Sequence, residues 1–146
     1  MTTVTIRPST PRVLIGTPLP GEAAAEGFRF IDRLTGQAQS GCAAFTATGE
    51  VFLAALRSGE LVGVCGLARD CYGAPPGVAR LRHLYVRPAW RGQGIGRRLV
   101  GEALAAARLN FSAVRLRTDT QSADMFYRAL GFRGVEDVDA THVMTL

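Results

Sequence analysis

The chain has 146 residues, 47% apolar and 20% charged, which suits one folded domain over 1–146 and excludes a disordered or fibrous chain. Its net charge is +5, and all 17 basic residues are arginine. No apolar run reaches the ~18 residues of a membrane span, and Met1–Pro8 has no signal-peptide core, so a cytoplasmic protein away from the membrane is expected. Cys42, Cys65 and Cys71 have no metal-ligand spacing, so no metal is expected. Cys65 lies in an apolar run and reads as a small core residue.

Val4–Arg7 reads as a first strand, ended by Pro8. Residues 8–21 hold several prolines and read as loop. Glu22 to Gln39 reads as helix, with Phe28, Ile31 and Leu34 on one face; Gly27 and Gly36 allow it to be two shorter helices. Val51–Leu56 and Leu61–Ala68 flank Ser58-Gly59-Glu60 and predict a hairpin. Gly63 and Gly66 in its second strand mark close backbone approach. Asp70–Val78 is loop, and Leu81, Leu84, Tyr85 and Val86 predict a central strand that stops at Pro88.

From Ile95 the apolar spacing turns helical, through Leu99, Ala103 and Ala107. Ala113–Thr118 predicts a strand. Thr120 or Ser122 can cap a helix over Ala123–Leu130, with Gly131 as its terminating glycine. Phe132–Val135 and Thr141–Leu146 read as a last antiparallel strand pair. The order of elements predicts one mixed α/β sheet.

Between the central strand and its helix lies Arg91-Gly92-Gln93-Gly94-Ile95-Gly96. Alternate glycines let backbone amides turn toward one point, and the first amides of a helix are unpaired at its positive end. Six arginines and no acid lie between Arg80 and Arg98. This predicts a cradle for a polyphosphate. Charge gathered at one loop favours a small anionic ligand over nucleic acid, for which no recognition helix or stacking motif is present.

Two segments carry a resemblance. Leu84-Tyr85-Val86-Arg87-Pro88-Ala89-Trp90-Arg91-Gly92-Gln93-Gly94-Ile95-Gly96 resembles the strand, Gln/Arg-x-x-Gly-x-Gly/Ala loop and helix of the GNAT N-acetyltransferases. Ala123–Phe132 resembles that family's Ala-x-x-Phe/Leu-Tyr-x-x-x-Gly-Phe. Both occur in order, about 30 residues apart with a strand between; over residues 1–50 only element order agrees. The resemblance implies a mixed, mostly antiparallel twisted sheet of about seven strands with helices on both faces, and acetyl-CoA as co-substrate. It maps the pantetheine arm to the backbone of Leu84, Tyr85 and Val86. It maps the pyrophosphate to Arg91, Gly92, Gln93, Gly94, Ile95, Gly96 and Arg97, and the group assisting the leaving thiolate to Tyr127.

Two positions depart from the family. Thr120 stands where many members have an asparagine that helps hold the coenzyme. Arg80 stands where some have a glutamate base, and arginine cannot be a base. The alternative candidates are His83 on the central strand, which strand alternation turns away from the face of Arg82 and Leu84 unless a bulge intervenes, and His142 in the last strand. Asp70, Glu22 and Glu26 could recognise a cationic amine or be solvated surface acids, and Tyr72 and Tyr85 could line the acceptor site or pack. The expected activity is acetyl transfer to a primary amine by direct attack in a ternary complex. The alternative is a non-catalytic acyl-CoA sensor on the same fold. The acceptor, a small molecule or a peptide, is shaped by residues 8–50 and 70–78, which match no motif. Homodimers are common in the family, but no dedicated interface is visible in the sequence.

Overall fold

The computed structural model describes residues 3–40 and 45–146; Cys42 lies outside the described residues. In chain order the elements are β1 (Thr5–Ser9), α1 (Leu19–Ala25), α2 (Phe30–Ser40), β2 (Val51–Arg57), β3 (Glu60–Arg69), β4 (Val78–Val86), α3 (Ile95–Ala107), β5 (Ala113–Leu116), α4 (Gln121–Ala129), β6 (Arg133–Gly134) and β7 (His142–Thr145). Single 3-10 turns occupy Pro11–Leu14 and Pro88–Trp90. The strands form one sheet in the order β1-β2-β3-β4-β5-β7-β6, antiparallel everywhere except between β4 and β5. This is the mixed, mostly antiparallel α/β sheet expected. α3 packs on one face with Ile95, Leu99, Val100, Ala103 and Leu104, joined by Tyr127 of α4. On the other face Leu14, Leu19, Ala23, Ile31 and Leu34 cover Phe52, Val64 and Tyr85.

The hairpin forms as read. Ser58 and Gly59 both have positive φ (50° and 81°), the two-residue geometry whose twist matches the flanking strands. Gly63 lies where a Cβ would come within 3.1 Å of Tyr85 O and 3.2 Å of Leu99 Cδ1, the close approach expected of it. Thr120 caps α4, its Oγ1 accepting from Ala123 N–H at 3.2 Å. At the other end Phe132 N–H reaches Tyr127 O and Gly131 N–H reaches Arg128 O, each at 3.0 Å, closing a Schellman motif.

Two readings are corrected, and one open alternative is decided. β1 runs through Pro8 to Ser9, which an edge strand tolerates because the missing donor can face away from the sheet. Residues 8–21 are not all loop: Pro11–Leu14 is a 3-10 turn and α1 begins at Leu19, since a proline in a first helical turn removes no helix bond. The helix over 22–39 is two helices, broken at Gly27 (φ 87°) rather than at Gly36.

β4 carries the feature that shapes the site. Val64 pairs with Tyr85 and Gly66 with Arg82, so Cys65 alone faces both His83 and Leu84. This is a β-bulge, with His83 at φ 60°. β4 pairs with β5 only over Val78–Arg80. Past Arg80 the two strands part, and no described strand pairs with Leu81–Val86 on that side. No helix among the described residues is long and apolar enough to cross a membrane.

Candidate active site

Backbone alternation decides what β4 offers to this gap. Arg87 N–H donates to Val62 O at 2.9 Å, so Arg87 faces β3. Tyr85, two residues earlier, faces β3 as well, while Leu84 and Val86 turn their N–H and C=O groups toward the gap. Of the three strand residues singled out, Leu84 and the N–H of Val86 therefore have available backbone; the Val86 C=O accepts from Arg91 Nε at 2.9 Å, and Tyr85 faces β3. The Tyr85 phenol leaves by the opposite face, where it donates to Glu26. Burial and this bond to a carboxylate raise its pKa.

The loop after β4 meets its expectation in backbone and departs from it in one side chain. Gly92 (φ 78°) and Gly94 (φ 80°) sit in the left-handed region, where a Cβ is strained. Gly94 caps α3 with no side chain on the helix end. Arg98 N–H donates to Gly94 O at 3.0 Å, whereas the amides of Gly92, Gln93, Gly94, Ile95, Gly96 and Arg97 make no hydrogen bond among the described residues. Unpaired amides at a helix N-terminus form an anion site. Arg97 is exposed beside it.

Arg91 does not add its charge to the cradle. Its guanidinium grips Glu26 with two bonds of 2.8 and 2.7 Å, reaches Val86 O at 2.9 Å and stacks over the Tyr85 ring. Its amide faces Pro88 O at 3.3 Å. The cause is a carboxylate 65 positions earlier, brought in by α1. A bidentate carboxylate is a better partner than solvent.

Tyr127 lies on the α3 side of the sheet and is 8% exposed. Its ring packs on Phe126 (5.0 Å), Phe132 (5.5 Å) and His142 (6.1 Å). Its hydroxyl makes no hydrogen bond among the described residues, and it is not among their sealed polar atoms. Burial raises the phenol's pKa, with Cys65 adding to the effect. Cys65 is the residue opposite the bulge, itself pushed up to about 12 by burial, so it is an inert core thiol as expected. Phe126 reaches Gly96, which ties α4 to the loop. The loop, the end of β4 and the helix that carries Tyr127 thus meet at Gly96, Val86 and Phe126.

The other candidates are placed differently. Thr120 spends its oxygen on capping α4 and lines a separate cleft of about 580 Å³ with Asp124, Glu136 and His142. His142 is 3% exposed and uses both nitrogens: Nε2 donates to Asp124 Oδ1 at 2.7 Å, and Nδ1 lies 2.8 Å from Thr141 Oγ1. It is a structural histidine with no nitrogen left for an acceptor. Of the three acids, Asp70 is not a surface acid, whereas Glu26 and Glu22 lie at the surface and are already paired. Glu26 is held by Arg91 and Tyr85, which lower its pKa, and Glu22 is held by Arg87. Asp70 is buried with Arg80 (3.2 Å), Arg115 (2.6 Å) and the Tyr72 amide (2.8 Å). Burial acts to raise its pKa, but bonds from Arg115, Tyr72 and Arg80 outweigh this and hold it low. Tyr72 is stacked by Arg80 and Arg82.

His83 lies opposite Leu84 and on the face of Tyr85, where strand alternation puts it. There its ring meets Phe30 and Phe45. Burial and Arg82 push its pKa down to about 4, so it is neutral near pH 7 and too weak to take a proton from an ordinary ammonium. No local signal marked the bulge or the Asp70 cluster, since each depends on partners from other strands. Among the described residues no group of three or more His, Cys, Asp or Glu side chains is gathered to hold a metal.

Residues 48–134 match the family model of the acetyltransferase (GNAT) domain. Over 84 residues, 58% of the chain, the sequence is 38% identical to N-alpha-acetyltransferase RimI of Mycobacterium tuberculosis, and the match spans 52% of that protein's length. The fold superposes on a candidate acetyltransferase from Exiguobacterium sp. 255-15 with TM-score 0.84 and 27% identity, over 98% of this chain and 93% of that one. It also superposes on the PaiA N-acetyltransferase of Thermoplasma acidophilum, solved with coenzyme A, with TM-score 0.66 over 99% of both chains; at 20% identity this shows shared fold alone. With a family model covering more than half its length, and the splayed sheet, glycine loop and tyrosine helix in place, the chain belongs to the GNAT acetyltransferase family.

Proposed function

We propose that residues 1–146 form a single acetyltransferase domain that transfers acetyl from acetyl-CoA to a primary amine within a ternary complex. One observation carries the donor assignment. A run of unpaired amides, Gly92 to Arg97, stands at the mouth of a gap lined by unpaired β4 backbone. A ligand with a pyrophosphate at one end and an amide-containing arm behind it satisfies both. Structures of family members with coenzyme A agree with this choice.

Acetyl-CoA supplies a thioester-activated acetyl group and a thiolate leaving group. The amides of Gly92–Arg97 hold the pyrophosphate, with Arg97 adding charge. The Leu84 backbone pairs with the pantetheine arm as an added strand would. Val86 N–H polarises the carbonyl oxygen as the amine nitrogen attacks the carbonyl carbon. The C–S bond breaks, and Tyr127 O–H donates a hydrogen bond to the departing sulfur. Complete proton transfer is uphill, because a thiol near ~8.5 is the stronger acid and burial weakens the phenol further. The new amide loses its extra proton to solvent. Much of the rate comes from holding both reactants in one cleft.

Thiol release from acetyl-CoA, screened over classes of amine, tests this reading. Release with at least one class, and tight coenzyme A binding that Gly94→Ala weakens, is the expected result. Coenzyme A binding with no release for any amine would make the protein a sensor; no binding would refute the donor site.

A further inference from the structure

The face of β4 opposite Tyr127 holds a residue that acetyl transfer, as derived above, leaves unused. His83 is the inserted residue of the bulge and lies at φ 60°, a left-handed conformation that costs energy for any residue but glycine. It is costly in a second way. Among the described residues, its Nδ1 is the one buried side-chain polar atom without a hydrogen-bond partner. Two unfavourable features at one residue, on the strand that carries the proposed reaction centre, call for a compensating role.

Its surroundings say what that role is. The His83 ring lies 6.0 Å from Phe30 and 6.1 Å from Phe45. Phe28 packs on Phe30 (5.7 Å) and on Tyr85 (5.9 Å). Phe28, Phe30, Phe45 and His83 are each only half-buried, so the ring cluster opens to solvent. Glu26, which bonds to Tyr85 on this face, and Glu22 are taken by Arg91 and Arg87. Arg82 adds positive charge beside the imidazole. The Arg82 charge would repel a second cationic group here, and among the residues just named no free acid offsets it. An apolar ring would find partners of its own kind.

We infer that the aromatic cluster around His83 is the acceptor pocket, that it selects a primary amine carrying an aromatic group, and that His83 Nδ1, covered in the free chain, accepts a hydrogen bond from the amino group once the ligand displaces the rings that cover it. This rests on the acetyl-transfer reading of β4 given above. The imidazole is a positioning acceptor and not the base. Its low pKa keeps it neutral, so the amine binds after losing its proton to solvent. His83 directly precedes Leu84, whose backbone opens on the donor gap, so the bulge links the two sides of the strand.

The test compares 2-phenylethylamine with 1,4-diaminobutane as acceptors, by thiol release from acetyl-CoA. Wild type is expected to favour the aromatic amine by at least about tenfold in kcat/KM, the scale of one well-filled apolar subsite. His83→Gly removes both the strained Cβ and the imidazole. It is expected to melt at or above the wild-type temperature, yet to lose about tenfold in kcat/KM for 2-phenylethylamine with the KM for acetyl-CoA unchanged. His83→Asn, a residue that tolerates this backbone, should recover part of the loss. Phe30→Leu keeps the apolar volume and should raise the KM for the aromatic amine alone. A preference for the diamine overturns the assignment. So does a His83→Gly enzyme that melts lower while keeping full kcat/KM, which would mark a structural histidine. Absence of release with both amines, with another class active, also refutes the pocket. Absence of release with every amine, in wild type and variants alike, instead brings down the transfer reading on which the pocket rests.

Discussion

Tyr127→Phe removes one oxygen and little else, which makes its consequences calculable. The ring stays among Phe126, Phe132 and His142, at the same centroid distances of 5.0, 5.5 and 6.1 Å. The lost hydroxyl has no hydrogen-bond partner among the described residues, so no donor or acceptor there is orphaned by its removal. Stability should therefore change by no more than about 0.5 kcal/mol. The rate should not be so indifferent. A hydrogen bond to a charged group contributes about 1.5–3 kcal/mol, and the thiolate is charged only as it departs. At 1.36 kcal/mol per decade this predicts a fall in kcat of roughly 10- to 150-fold. Thiol release at saturating acetyl-CoA measures kcat, calorimetry measures coenzyme A affinity, and a thermal scan measures stability. Equal kcat in the two proteins would refute the leaving-group role. A parallel loss of coenzyme A affinity would make Tyr127 a binding residue instead. Because burial holds the phenol above its ordinary value, wild-type kcat should show no loss from Tyr127 ionisation between about pH 8 and pH 10. Tyr127→Ala is the contrast: it empties a packed aromatic site and should cost about 3–5 kcal/mol of stability.

Asp70→Asn should destabilise by about 3–5 kcal/mol in urea, because Arg80 and Arg115 are left buried without a counter-charge. The Asp70 carboxyl has a lowered folded pKa, so its contribution is present above about pH 3.9 and is lost as pH falls through the folded value. The variant should accordingly show a shallower acid limb in a stability-versus-pH series. Gly94→Ala places a Cβ at φ 80° and should cost about 1–2 kcal/mol while weakening coenzyme A binding. Gly101→Ala in α3, where a Cβ meets open space, should instead stabilise by about 0.5–1 kcal/mol and leave binding unchanged. Arg97→Ala should raise the coenzyme A Kd and flatten its dependence on salt, since an exposed charge acts through screened attraction.

What was legible in the sequence was local. The glycine loop, the onset of α3 at Ile95, the hairpin at Ser58-Gly59, the Thr120 cap and the Gly131 stop each depend on neighbours within a few positions. Backbone sterics and helix-end hydrogen bonding are encoded at that range, so residue types and spacing suffice to read them. The proline-rich 8–21 segment was misread because a proline looks alike in a loop and in a first helical turn.

The chain's own letters determined the family, the glycine loop and the helix that carries Tyr127. Only the tertiary structure decided which of the charged and titratable side chains are available. Arg91 looked like part of the cradle and is bound to Glu26, 65 positions away; Asp70 looked like a surface acid and sits between two buried arginines. His83 sits at a bulge that exists only because β3 and β4 pair out of step. A guanidinium or carboxylate takes the best partner that folding brings within hydrogen-bond reach, and a bulge is a property of two strands. Neither can be read from one stretch of sequence.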